Sequence, residues 1–164
     1  MKKIGVLSDT HAFFDARLYE FFADVDEIWH AGDIGSEDFL NEIEKFKPTR
    51  AVFGNMDGAH LRYRLSETER FVCEGVDVLL THIGGYPGNY EPCIKWQLFS
   101  NPPKLFICGH SHILKIMNDK DLNLLHVNPG AAGKTGFHKI QTAVRFVVND
   151  GDIKDMEVIN LDPM

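Results

Sequence analysis

Over residues 2–54, three short apolar runs alternate with two amphipathic stretches, and this alternation limits the fold more than any other feature. "KKIGVLS" (2–8), "EIWHAG" (27–32) and "TRAVFG" (49–54) have the length and apolar character of buried strands. Between the first two, "DARLYEFFADV" carries Leu18, Phe21, Phe22 and Val25 at helical spacing. Between the second and third, "SEDFLNEIEKFK" (36–47) sets Phe39, Leu40, Ile43 and Phe46 on one stripe behind Ser36 as N-cap. Strands separated by helices close into right-handed parallel β-α-β units.

After residue 70 the pattern changes. "RFVCEGVDVLLT" (70–81) reads as a hairpin turning at Glu74-Gly75. "EPCIKWQLF" (91–99) reads as a helix stopped by Asn101-Pro102-Pro103, and "KLFICG" (104–109) as a strand. Two more hairpins are expected over 114–127, turning near Asp119–Asp121, and over 142–161, turning at Asn-Asp-Gly-Asp. About ten strands, the later ones mostly antiparallel, imply an α/β fold of two packed sheets with helices outside. A single domain over 1–164 is expected, since a chain of this length buries roughly 70% of its unfolded surface.

Composition narrows the function. The formal net charge is -7, without a Lys/Arg stripe, which argues against long nucleic acid as a partner. A small anionic substrate remains compatible if metal ions reverse the local field. Cys73, Cys93 and Cys108 are odd in number and form no C-x-x-C, so they are expected as buried small hydrophobes in a reducing compartment. The N-terminal apolar run stops at Asp9, too short for a secretion signal, and no stretch approaches about 18 apolar residues. The expectation is a cytoplasmic protein with no membrane partner.

Metal-ligating residue types follow the apolar strands: Asp9 and His11 after the first, Asp33 after the second, and Asn55 after the third. His82 follows "VDVLLT", and His110 and His112 follow "KLFICG". Gly32, Gly54 and Gly109 each directly precede a donor, where glycine lets backbone turn sharply or approach closely. Ligands of open α/β sheets bind beyond the carboxyl ends of the strands. Seven N/O donors with no thiolate suit two divalent ions and favour Mn, Fe, Zn or Ni over a soft ion. Asp33, alone on its strand end, is the expected bridge. An ion pair about 3.5–4 Å apart is the arrangement that activates water and clamps a phosphoryl group.

In this order, D-x-H (Asp9, His11), G-D (Gly32, Asp33), G-N (Gly54, Asn55), His82 and G-H-x-H (Gly109, His110, His112) resemble the calcineurin-like metallophosphoesterase superfamily. With "NPG" at 128–130, the chain is most similar to its small single-domain phosphodiesterase branch, which also contains the retromer scaffold subunit Vps29. The resemblance implies a four-layer α/β/β/α sandwich of two mixed β-sheets flanked by helices. It implies one metal on Asp9, His11, Asp33 and His112, and another on Asp33, Asn55, His82 and His110. It implies attack of a metal-activated hydroxide on a phosphoester, usually with Mn²⁺.

The chain departs from many relatives at "GNMD", where Met56 stands in place of a histidine able to protonate the leaving oxygen. A general acid contributes typically 10²–10⁴-fold. Its absence favours small phosphodiesters with activated leaving groups. Asp33, Asn55 and Asp57 are the expected catalytic residues, and Asn55 and Tyr90 the expected substrate contacts.

His30 is read either as orienting a ligand or as a packed strand histidine, and His60 either as a substitute acid or as a surface loop histidine. His126 is expected to be structural, and His138 has no assigned role. Tyr86 or Tyr90 could stack on an aryl group or base, and Lys134 and Lys139 in "NPGAAGKTGFHK" could line an anion nest. The alternative function is a Vps29-like protein-interaction scaffold with a vestigial metal site, and a homo-oligomer is compatible with either.

Overall fold

The computed structural model describes residues 1–138 and 140–161, so 162–164 of the expected domain lie outside the described residues. One sheet is ordered β12-β11-β1-β2-β3: Asp152–Asn160, Thr142–Asn149, Lys2–Leu7, Glu27–His30 and Thr49–Ala51. The strands β1, β2 and β3 run parallel, with β11 and β12 antiparallel beside them. The second sheet is ordered β4-β5-β8-β10-β9: Thr68–Cys73, Val76–Thr81, Leu105–Ile107, Leu124–Pro129 and Leu114–Asp119.

Side-chain alternation makes the layers. Ile4, Val6, Trp29, Val144 and Phe146 of the first sheet meet Val76, Val78, Leu80, Leu105, Ile107 and Val127 of the second in one core. The opposite faces are also covered. Leu7 and Ile28 pack with Leu18 of α1 (Arg17–Phe21) and Ile43 of α2 (Glu37–Phe46). Leu79 and Phe106 pack with Ile94 and Leu98 of α4 (Pro92–Ser100). The fold is therefore the expected α/β/β/α sandwich of two mixed sheets.

The differences from expectation are local. The first helix spans only five residues, because Asp26 already docks on Lys3, exchanging two hydrogen bonds of 2.7 and 2.8 Å that commit the chain to β2. The later strands pair mostly antiparallel, as expected, with one exception. The centre of the second sheet, β5-β8-β10, is parallel, because α4 crosses between β5 and β8, and β9 lies between β8 and β10 in sequence. A short helix, α3 (Ala59–Arg64), escapes the sequence reading because "AHLRYR" buries only Leu61. "GGYPGNY" is a small hairpin, β6 (Gly85–Tyr86) with β7 (Asn89–Tyr90). The hairpin at Glu74-Gly75 is as expected, with Cys73 opposite Val76. Cys73 and Cys108 are buried, whereas Cys93 on the outer surface of α4 is exposed. No described helix is long and apolar enough to cross a membrane.

Candidate metal centre

The two sheets face each other so that the carboxyl ends of β1, β2, β5 and β8 meet at one edge. Asp9 Oδ2 accepts from the His110 amide at 3.1 Å, and the His82 ring bonds the Ala31 carbonyl at 2.7 Å. Asp9, His11, Asp33, His110 and His112 all have φ between 46° and 71°. Positive φ at non-glycine residues costs free energy and collects at functional sites. Here it turns each side chain out of its strand direction into the shared cleft.

Close approach explains the glycines before Asn55 and His110. A Cβ at Gly54 would lie 2.1 Å from Asp33 Oδ1, and one at Gly109 would lie 2.0 Å from Ser8 Oγ. A side chain at Gly54 would push apart the loops after β2 and β3, and one at Gly109 would push apart the two sheets.

Each central carboxylate has one oxygen committed and one left over. Asp9 Oδ2 accepts from Ser8 Oγ–H (2.6 Å) and the His110 amide, while its Oδ1, buried and without a hydrogen-bond partner among the described residues, faces His112 Nε2 at 3.2 Å and His82 Nε2 at 3.8 Å. Asp33 Oδ1 accepts from the Met56 amide at 2.9 Å, and its Oδ2 faces His82 Nε2 at 3.3 Å and His11 Nε2 at 3.9 Å. Asn55 Oδ1 lies 3.0 Å from His82 Nε2 and 3.1 Å from His110 Nδ1.

The Ala31 carbonyl can only accept, so the His82 proton sits on Nδ1 and the Nε2 lone pair faces carboxylate oxygens. Acceptors thus converge without a donor between them. Such a cluster fits a cation.

Electrostatics agree. Burial pushes Asp33 up, but the adjacent His82 imidazole, the Met56 amide and His11 outweigh it and hold it down to about 2. Burial likewise opposes, yet His112, His82 and Ser8 hold Asp9 below its usual range. In return, burial disfavours charge on His82, but Asp33 and Asp9 raise it, and the proximity of Asp9 raises His112. The carboxylates stay ionised and the cleft attracts positive charge.

All seven expected donors are brought together, in an order that differs slightly from expectation. Ligand atoms of Asp9, His11 and His112 lie within 4.8 Å of one another, as do those of Asp9, Asp33 and His82, so Asp9 rather than Asp33 is common to both tight groups. Asp33 Oδ2 nevertheless lies between His11 and His82.

Two expectations are corrected. Asp57 does not face the cleft. It is buried, and its carboxylate accepts from the amides of Gly54 (2.8 Å), Gly35 (3.1 Å) and Ile34 (3.2 Å). It ties the loop after β3 to the loop after β2. Tyr90 is no substrate contact either. It is buried against Phe106, and its hydroxyl donates to Asp119 at 2.6 Å.

His30 is buried beneath the site, and its ring partners are the Gly32 amide and Thr10 rather than one of the seven donors. Its Nδ1 accepts from the Gly32 amide at 3.1 Å, so Nε2–H donates to Thr10 Oγ1 at 2.9 Å, and Thr10 in turn donates to the Ile34 carbonyl at 2.8 Å. Burial pushes His30 down to about 4, so the ring is neutral. His126 is a core residue between Tyr90 and Phe106. His60 is exposed at the start of α3, Tyr86 is exposed, and Lys134 lies over the Phe13 ring at 4.3 Å. Lys139 lies outside the described residues.

Sequence reading missed Arg62 and His138. Arg62 donates to the carbonyls of Asp57, Asn55 and Gly54, fixing the Asn55 loop from behind. His138 contacts His112. Neither stands next to a ligand in sequence.

Comparison with known proteins agrees with this geometry. The family model of the calcineurin-like phosphoesterase superfamily domain matches residues 1–151. A probable metallophosphoesterase of Methanothermobacter thermautotrophicus is 32% identical over 161 residues, covering 95% of this chain and 91% of the relative. A novel archaeal phosphodiesterase shares the fold with a TM-score of 0.74 at 22% identity, over 97% of this chain and 99% of that one. So does wild-type Vps29 of Entamoeba histolytica complexed with Zn²⁺, with a TM-score of 0.73 at 16% identity, over 96% and 98%. With the matched domain spanning every donor from Asp9 to His112, the chain belongs to the calcineurin-like phosphoesterase superfamily.

Proposed function

We propose that the protein is a phosphodiesterase for small phosphodiesters that holds two divalent metal ions, Mn²⁺ foremost. The observation that carries this is the meeting of Asp9 Oδ1, Asp33 Oδ2 and His82 Nε2, acceptors with no donor among them. Asp9, His11 and His112 would hold one ion, and Asn55, His82 and His110 the other, with Asp33 Oδ2 between the sets. When bound, the ions supply Lewis acidity, which activates water and offsets charge on the phosphoryl oxygens.

The residues themselves do the positioning. Ser8 and the His110 amide aim Asp9, and the Met56 amide aims Asp33. Asn55 directs its oxygen inward to His82 and His110, which leaves its amide N–H groups to donate to a substrate oxygen. Met56 is 70% exposed beside Asp33 and offers no proton to a leaving group. This supports esters whose leaving groups depart without protonation, aryl phosphodiesters among them.

The test is a comparison of bis-p-nitrophenyl phosphate with p-nitrophenyl phosphate. Preference for the diester is expected, and preference for the monoester would sink the assignment. The net charge of -7 argues against long nucleic acid as substrate. The fold shared with Vps29 favours a second reading, a protein-interaction scaffold. The complete donor set argues against it, and a folded protein without turnover under any divalent ion would restore it.

A further inference from the structure

We infer that His138 is a positioning residue that selects which nitrogen His112 offers to a metal ion. The inference rests on the reading of His112 as a ligand.

His138 Nε2 lies 2.7 Å from the Gly133 carbonyl, which can only accept, so the His138 proton is on Nε2. Its Nδ1, now an acceptor, lies 3.1 Å from His112 Nδ1. One of these two nitrogens must donate, and only His112 can. The His112 proton is thereby fixed on Nδ1, and its Nε2 lone pair is directed at Asp9 Oδ1, 3.2 Å away. A metal-bound imidazole is ordinarily oriented by a partner on its other nitrogen. Carbonyl, His138 and His112 form such a chain, entirely within one loop and the strand end it covers.

The loop is shaped to this contact. The two rings meet edge-on, 4.9 Å apart at 75°. Gly136, with φ of 135°, lies against both, and a Cβ there would sit 2.2 Å from His112 Nδ1 and 3.0 Å from His138 Nδ1. His11, the other imidazole of this donor set, has its ring 6.2 Å from that of His112. The partner of His112 on its outer nitrogen is therefore His138.

Calorimetric titration of the metal-free full chain with Mn²⁺ tests this, comparing the unsubstituted protein with His138→Ala, His138→Asn and His112→Ala. The expected result is two ions bound by the unsubstituted protein. In His138→Ala one site should weaken by about 10–100-fold while the other is unchanged. His138→Asn, which keeps an acceptor near the Nδ1 position, should recover most of the loss. In the Zn²⁺-loaded unsubstituted protein, long-range ¹H–¹⁵N spectra should show His112 protonated at Nδ1 and His138 at Nε2. Those spectra decide the matter even if His138→Ala fails to fold.

A proton on His112 Nε2, or affinities within twofold after His138→Ala, would overturn the inference alone. Failure of the unsubstituted protein to bind metal, or indifference of binding to His112→Ala, would overturn the underlying reading and this inference with it.

Discussion

The amide of Met56 donates to Asp33 Oδ1 at 2.9 Å, so a residue with an inert side chain is held by its backbone at the edge of the metal centre. That bond is independent of the side chain. A histidine placed there keeps the aim of Asp33 and adds a group able to donate a proton. Met56→His should therefore raise hydrolysis of esters with poor leaving groups, such as alkyl phosphodiesters, by about 10²-fold or more, with little change for bis-aryl substrates. Rates across a leaving-group series check this, and a uniform change across the series would contradict it.

Asp57 acts on stability and on the placement of Asn55. Its carboxylate satisfies three buried amides, and Asp57→Ala would leave all three unpaired. The expected loss is on the order of 2–4 kcal/mol, read by denaturant unfolding. Asp57→Asn, which keeps acceptor capacity, should lose less.

Acid sensitivity should arise partly at His126. Burial pushes this ring down to about 4 from an ordinary 6.5, and among the described residues neither ring nitrogen has a hydrogen-bond partner. The unfolded chain therefore binds a proton that the folded chain refuses between those values. Its contribution is fully present above about pH 6.5 and is lost as pH falls toward about 4, amounting to roughly 3 kcal/mol. His126→Phe, filling the space beside Tyr90 and Phe106 without a titrating group, should flatten the stability profile of the metal-free protein across that window. Unfolding free energies at several pH values test it, and parallel profiles would contradict it.

How much of this was legible in the sequence depends on how local each signal is. Asp9, His11, Asp33, Asn55, His82, His110 and His112 are readable because each follows an apolar strand, and parallel strands bring their carboxyl ends together. The buried ends of Asp57 and Tyr90 were not readable. A carboxylate beside Asn55 and a tyrosine in a glycine-rich stretch look like site residues until their partners, the Gly54 amide and Asp119, are known. Arg62 and His138 were missed for the converse reason. Each acts through a loop or a second ring on an element the motif pattern does not touch. The parallel centre of the second sheet was hidden because β8 is only three residues long and reads the same in either direction.

Asp33 Oδ2 lies between His11 of one proposed donor set and His82 of the other, so its loss should weaken the centre even though Asp9 is common to both tight groups. Asp33→Ala should reduce bis-p-nitrophenyl phosphate hydrolysis by at least about 10³-fold, a loss larger than that of a single general acid at its typical low end.

The most direct measurement is hydrolysis of bis-p-nitrophenyl phosphate by metal-stripped protein as Mn²⁺ is added back. The expected result is no turnover without metal, rising to saturation at two ions per chain, and none in Asp33→Ala at any ratio. Absence of turnover in a folded, Mn²⁺-saturated protein, or full activity with a single ion bound, would contradict the two-metal phosphodiesterase reading.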